Sequence, residues 1–180
     1  TGLDAVHRDA VAGKRAEVLE SLTEKVVIPF EDERTTMMYR SRWIKTQVRQ
    51  LVKGDLFFID CDTIINHSLE ELDTIKCEVG AVCESNLPID QFCMPLYQPM
   101  CANAHTIGWN PEGEQFYFSS GVIYAKDTPA THHLFKLWHQ YWQEGLEKGI
   151  NIDQPSLAKA NIECEHIIQR IDDKWNCIMF

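Results

Sequence analysis

The sequence predicts an α/β domain in which a central sheet is flanked by helices, and three observations predict it. Leu56–Ile59 is a short unbroken apolar run of aromatic and branched residues, bounded by Gly54 and Asp55 before it and by Asp60 and Asp62 after it. Such a run reads as a strand buried on both faces, the kind found in the middle of a largely parallel sheet. Val79-Gly80-Ala81-Val82-Cys83 repeats the pattern and ends on the polar cluster Glu84-Ser85-Asn86. Stretches of helical spacing complete the pattern, most clearly over 36–52 and from Pro129 onward.

A chain of 180 residues is expected to form one domain, 1–180, with a proper core. Its 44% hydrophobic and 24% charged residues are ordinary for a globular protein. A formal charge of −10, with no stripe of Lys and Arg, argues against a nucleic-acid partner. An acidic chain that handles an anion must gather positive charge, or a metal, locally. Seven scattered cysteines without a C-x-x-C pair point away from zinc sites and toward thiols in a reducing compartment. There is no apolar run of the ~18 residues a membrane span needs and no signal-peptide pattern. The expectation is a cytoplasmic protein, free or peripheral at a membrane. The chain opens on Thr1 rather than Met, which suggests a piece of a longer protein.

Taken in order, residues 3–24 read as one or two short helices interrupted at Gly13. Val26–Phe30 reads as a strand whose Pro29 suggests an edge or an end, and Glu31–Glu33 as an acidic turn. Over 36–52, Met38, Trp43, Ile44, Val48 and Leu51 form the apolar face of a helix. The same helix carries Arg40, Arg42, Lys45, Arg49 and Lys53, the densest basic cluster in the chain. That cluster is either a solvated face or, with Arg42 and Lys45 three apart on one side, a contact for a diphosphate. Ser68 reads as the cap of a short helix over 69–73, with Glu71 completing a capping box. Residues 87–114 hold four of the seven prolines and read as a long irregular excursion. Phe118–Tyr124 reads as a turn of small residues leading into a strand. The aromatic stripe of the helix after Pro129 reads as core, and His132 and His133, adjacent on that helix, do not face one way. Asp153 is a plausible N-cap with Pro155 two residues into the helix, and 167–171 reads as a final strand.

Open α/β sheets bind ligands beyond the carboxyl ends of their strands, where Asp60, Asp62 and Glu84 fall. Asp60 and Asp62 either cap the turn before the next helix or serve as ligands. If the strand continued through them, both would point to one side. Two converging carboxylates then call for a hard divalent cation, Mn²⁺ or Mg²⁺, with positions left for phosphate oxygens.

Four segments in order, Ser41-Arg42-Trp43-Ile44-Lys45, Phe57-Phe58-Ile59-Asp60-Cys61-Asp62, Phe118-Ser119-Ser120-Gly121-Val122 and Asp153-Gln154-Pro155-Ser156-Leu157, resemble nucleotide-diphospho-sugar glycosyltransferases of the GT-A fold. Glycosyltransferase family 8 and its relatives are the nearest likeness, over roughly residues 36–177. The resemblance implies a Rossmann-like mixed central sheet flanked by helices, lacking the first strand and helix of the nucleotide-binding half. It implies metal-dependent transfer of a hexose, glucose or galactose before others, from a UDP-sugar to a glycan or other hydroxyl acceptor, with retention at the anomeric carbon. By the same likeness, Asp60 and Asp62 hold the metal and Asp60 also lies near the ribose. Arg42 contacts the donor; Glu84 lies near the sugars. Ser119, Ser120 and Gly121 flank the transferred sugar, and Asp153 and Gln154 stand at the reacting centre. Ser119 replaces the Asn usual in the family, and the segment that supplies a third metal ligand, often His, is not found before the chain ends.

Two rivals remain open at this stage. Phe57–Thr63 also resembles the first motif of haloacid-dehalogenase-like phosphatases, with Asp60 as nucleophile, Asp62 as general acid and Asp172-Asp173 as the later acidic pair. The other rival is a catalytically inactive GT-A domain that only binds. The acceptor is expected to meet the 87–114 segment.

Overall fold

The computed structural model describes residues 36–66 and 68–177. The helices expected over 3–24, the strand at Val26–Phe30 and the acidic turn at 31–33 lie outside the described residues. The chain divides into two compact units, residues 1–45 and 46–180. The boundary falls within helix α1, Met37–Leu51.

The second unit is mixed α/β. Its strands are β1 (Leu56–Ile59), β2 (Val79–Cys83), β3 (Phe118–Ala125) and β4 (Ile168–Arg170), and its helices are α2 (Met94–Ile107), α3 (Pro129–Glu147) and α4 (Gln154–Glu163). The sheet order is β1-β3-β2-β4. β3 runs antiparallel to both β1 and β2, and among the described strands only β2 and β4 are parallel. The largely parallel sheet expected from the apolar runs is therefore corrected to a mixed one. β1 ends the described order rather than standing in its middle, and only Leu56 of its four residues is fully buried. β2 does match the doubly buried pattern, all five of its residues being inside.

Alternation sorts the sheet residues. Leu56 and Phe58 of β1, Val79 and Ala81 of β2, Ile123 and Ala125 of β3 and Ile168 of β4 share the core with Leu134, Phe135, Trp138 and Tyr141 of α3 and Leu157 and Ala160 of α4. The stripe on α3 is thus core, as its spacing predicts. Thr128 caps that helix reciprocally with Thr131, and Pro129 opens it where its missing N–H costs nothing. The opposite face carries Phe57 and Ile59, paired with Tyr124 and Val122.

The 87–114 segment is not irregular. It contains α2, with a proline in its first two positions and Pro99 inside. The helix survives its prolines because Met100, Ala104 and Ile107 bury one face with Trp109 and Tyr117, and Gly108 closes it in the left-handed conformation at φ 91°. The helix expected from Ser68 is instead a 3₁₀ turn, Glu70–Thr74, with Ser68 Oγ accepting from the Glu70 N–H at 3.2 Å.

Arg49, read as part of a solvated or anion-binding cluster, is fully buried. Its guanidinium donates to the carbonyls of Val52 and Ala125 and lies 3.7 Å from Asp127 Oδ2. It is a structural cation that ties the end of α1 to the end of β3.

His139 on α3 stands 2.8 Å from Thr46 Oγ1, and burial pulls its pKa below the ordinary 6.5. Lowering a base's pKa in the fold means that the unfolded chain binds the proton more readily. Stability is therefore full above pH 6.5 and falls as pH drops from there toward the lowered folded value. Urea midpoints at about pH 7.5 and about pH 5.5 should show this fall, and His139→Gln should flatten it. An unchanged slope in the variant would assign the pH dependence elsewhere.

Candidate functional site

β3 makes the site possible. Ala81 of β2 faces Ile123, yet Cys83 faces Phe118, so residues 119–122 stand opposite Val82 alone and three of them are surplus to the register. Surplus residues bulge out of a ladder and re-aim their groups. The small residues read from sequence as a turn before the strand are this bulge within it. Through it, the Gly121 carbonyl accepts from the Asp60 N–H at 2.8 Å.

Gly121 leaves a cradle. A Cβ built there would lie 3.4 Å from Asp60 Oδ2, 3.5 Å from Asn176 Nδ2 and 3.6 Å from Ser119 Oγ. A carboxylate, an amide and a hydroxyl thus surround one small space on β1, β3 and the chain after β4. Asn176 Nδ2 donates to Ser119 Oγ at 3.3 Å, and the Asn176 carbonyl accepts from Asn86 Nδ2 at 3.0 Å. Asn86 ends the 3₁₀ turn Glu84–Asn86, where Ser85 (φ 56°) and Asn86 (φ 57°) both take left-handed conformations. Non-glycine residues held there carry strain that concentrates at functional sites.

The other end of that turn leads to the second group. Gln154, the first residue of α4, donates from Nε2 to Glu84 Oε2 at 2.7 Å. Asp153 immediately before it is buried, and its carbonyl accepts from the Trp138 indole N–H at 2.9 Å and the Leu157 N–H at 3.1 Å. Its carboxylate makes no helix-capping hydrogen bond, so the N-cap role expected of that side chain is not realised. Burial, and then the charges of Glu84 and Asp153, push the Tyr117 phenol well above its ordinary range. Tyr117 therefore remains a neutral hydroxyl beside these two carboxylates.

Asp60, Ser119 and Gly121 are brought together directly, and Glu84, Asp153 and Gln154 around Tyr117. The Glu84–Asn86 turn and Asn176 join the two groups. Ser120 lies buried in the bulge between them. Arg42 and Lys45 stand in the other unit, on the first part of α1. Asp62 is exposed. The strand ends at Ile59, and Thr63 N–H donates to the Asp60 carbonyl at 3.1 Å, so a turn replaces the alternation that would have aligned Asp60 with Asp62. The acidic pair near the C-terminus is engaged locally: Asp172 accepts from the Lys174 N–H at 2.9 Å, and Asp173 pairs with Arg170 at 3.0 Å.

Sequence reading marked Asn86 only as part of the polar cluster after β2, and it missed Asn176 and Tyr117. No local pattern marks these two, since each gains its place from contacts with residues distant in the chain.

Among the described residues no group of three or more His, Cys, Asp or Glu side chains is placed to enclose a metal ion. A cation that shares phosphate oxygens and waters needs only one or two carboxylates from the protein. Asp60 at the cradle is available for that use, while the exposed Asp62 stands on the turn after it, out of the alignment that strand alternation would give. Among the described residues no helix is long and apolar enough to cross a membrane. Comparison with protein-family models, with curated proteins and with solved structures finds no match to this chain.

Proposed function

We propose that this chain is a metal-dependent glycosyltransferase module of the GT-A type, moving a hexose from a nucleotide-diphosphate sugar to a hydroxyl acceptor. The cradle over Gly121, bounded by Asp60, Ser119 and Asn176, is the observation that carries the reading. The three atoms stand 3.4–3.6 Å from where a Cβ would lie, so the space is methyl-sized, and a sugar would meet its carboxylate, hydroxyl and amide with one of its hydroxyls. Such a polar lining favours a ligand rich in hydroxyls over a hydrophobic one.

In this reading Asp60 and Asp62 would hold Mn²⁺ or Mg²⁺. A bound cation of this kind neutralises charge that grows on the departing diphosphate. Gln154 has its amide N–H held by Glu84, which turns its Oε1 away as an acceptor. That oxygen and the Asp153 carboxylate stabilise the oxocarbenium character that develops as the sugar–oxygen bond breaks. Glu84 positions Gln154 and stands by for sugar hydroxyls. UDP-glucose or UDP-galactose is the proposed donor, a glycan the proposed acceptor, and retention the proposed outcome.

The test is calorimetric titration of UDP with and without Mn²⁺, on the wild type and on Asp62→Ala. Binding that requires Mn²⁺ and weakens by about tenfold or more in the variant is expected. Metal-independent binding, or a variant equal to wild type, would remove Asp62 and the metal from the reading. UDP release from UDP-glucose or UDP-galactose then separates an enzyme from a module that only binds.

A further inference from the structure

A cleft of about 240 Å³ opens on the sheet face turned away from the helices. Its floor is Phe57 and Ile59 of β1 with Val122 of β3, and Trp175 forms one wall, its ring edge-on to Phe57 at 5.5 Å. Thr63, Asn66 and Ser68 bring hydrogen-bonding groups to its rim. The cleft adjoins the site along four stretches of backbone. Ile59 precedes Asp60, Val122 follows Gly121, Thr63 follows Asp62, and Trp175 precedes Asn176.

Charge and size narrow the occupant. Glu71 and Lys174 are the charged residues of the lining, and they pair with each other. Among the described residues of the lining no unmatched cation is left for a phosphate, which disfavours a nucleotide or sugar phosphate. The volume lies below the ~300 Å³ at which pockets for drug-sized ligands begin, which suits one ring rather than a whole nucleotide sugar. An aromatic wall, an aliphatic floor and neutral hydrogen-bonding groups at the rim match a pyranose, whose C–H face is apolar and whose edge bears hydroxyls. Ile64, 88% exposed at this cleft, adds apolar surface for a further ring of the same chain.

We propose that this cleft seats a neutral sugar unit of the acceptor, which makes the acceptor a neutral glycan. The 87–114 segment, which folds into α2 instead of an open loop, is not needed for that role. Calling the sugar an acceptor rests on the transferase reading; seating a neutral pyranose in the cleft does not.

The experiment is saturation-transfer NMR on the full chain with methyl glucosides, methyl galactosides, maltose, cellobiose and lactose, without nucleotide. At least one is expected to receive saturation on its ring C–H protons. Trp175→Leu removes the wall, and Asn66→Trp, at an exposed rim position, fills the cleft without touching the core. Each should weaken binding by about tenfold or more, while Mn²⁺-dependent UDP binding stays within about twofold. Absence of transfer to every sugar overturns the proposal, and so does equal transfer in wild type and Asn66→Trp. The two readings fail separately: sugar binding without UDP binding sinks the donor site alone, and UDP binding without sugar binding sinks this cleft alone.

Discussion

Trp138→Ala is expected to destabilise the second unit by on the order of 3–5 kcal/mol, the cost of emptying a large buried aromatic site. Trp138 is fully buried, packs edge-on against Phe135 at 5.3 Å and lies in the core shared by α3, α4 and the sheet. Domains of this size are stable by only about 5–15 kcal/mol, so the variant stands near the edge of unfolding. With an m-value of about 1–3 kcal/mol/M, the urea midpoint should fall by at least about 1 M. The indole also donates to the Asp153 carbonyl at 2.9 Å. Trp138→Phe separates the two roles, because it keeps most of the packing and removes only the donor. Asp153 O still accepts from Leu157 N–H, so no acceptor is orphaned, and the loss should be nearer 1 kcal/mol. The Phe variant should then remain folded but hold Asp153 and Gln154 less firmly, lowering turnover more than stability. An alanine variant as stable as wild type would show that this core does not close around Trp138.

The same residue shows what the sequence made legible. Helical spacing marked Trp138 as core because α3 buries one stripe, and a stripe is a local property. β2 was legible for the same reason, five consecutive apolar or small residues needing cover on both sides. Strand direction was not. Nothing within Leu56–Ile59 says that its neighbour runs the other way, since that depends on how the chain returns through Phe118–Ala125. α2 was hidden by Pro95 and Pro99, which break helices on average. Here one sits in the opening turn, and burial of Met100, Ala104 and Ile107 outweighs the other. In the candidate site, Asp60, Glu84 and Gln154 stood out as polar residues at element ends. Their pairings did not: Glu84 meets Gln154 across 70 residues and Ser119 meets Asn176 across 57. Such pairings come from the register of the sheet, and the bulge within residues 119–122 exists only relative to β2.

That bulge gives the sharpest test of the cradle, through two substitutions expected to fail in different ways. Gly121→Ala places a methyl group 3.4 Å from Asp60 Oδ2, an ordinary contact distance, at a backbone position without positive φ. The fold should therefore keep its stability, or gain up to about 1 kcal/mol as alanine replaces glycine in a strand. Yet the methyl occupies the space among Asp60, Ser119 and Asn176 that a hydroxyl of the proposed sugar would enter. UDP alone, which lacks the sugar, should bind as in the wild type, while turnover of the UDP-sugar should fall on the order of 100-fold, as expected for a displaced reacting group. Asp60→Asn leaves the cradle open and keeps the backbone bond to Gly121, but it removes the charge. There the Mn²⁺-dependent affinity for UDP itself should drop by on the order of 100-fold, a metal ligand costing at least as much as the outer partners that orient one. Loss of UDP binding in both variants would merge the two roles and place the nucleotide, not the sugar, over Gly121. Normal turnover in Gly121→Ala would leave the cradle without a ligand, and the Asp60 charge would then need another explanation.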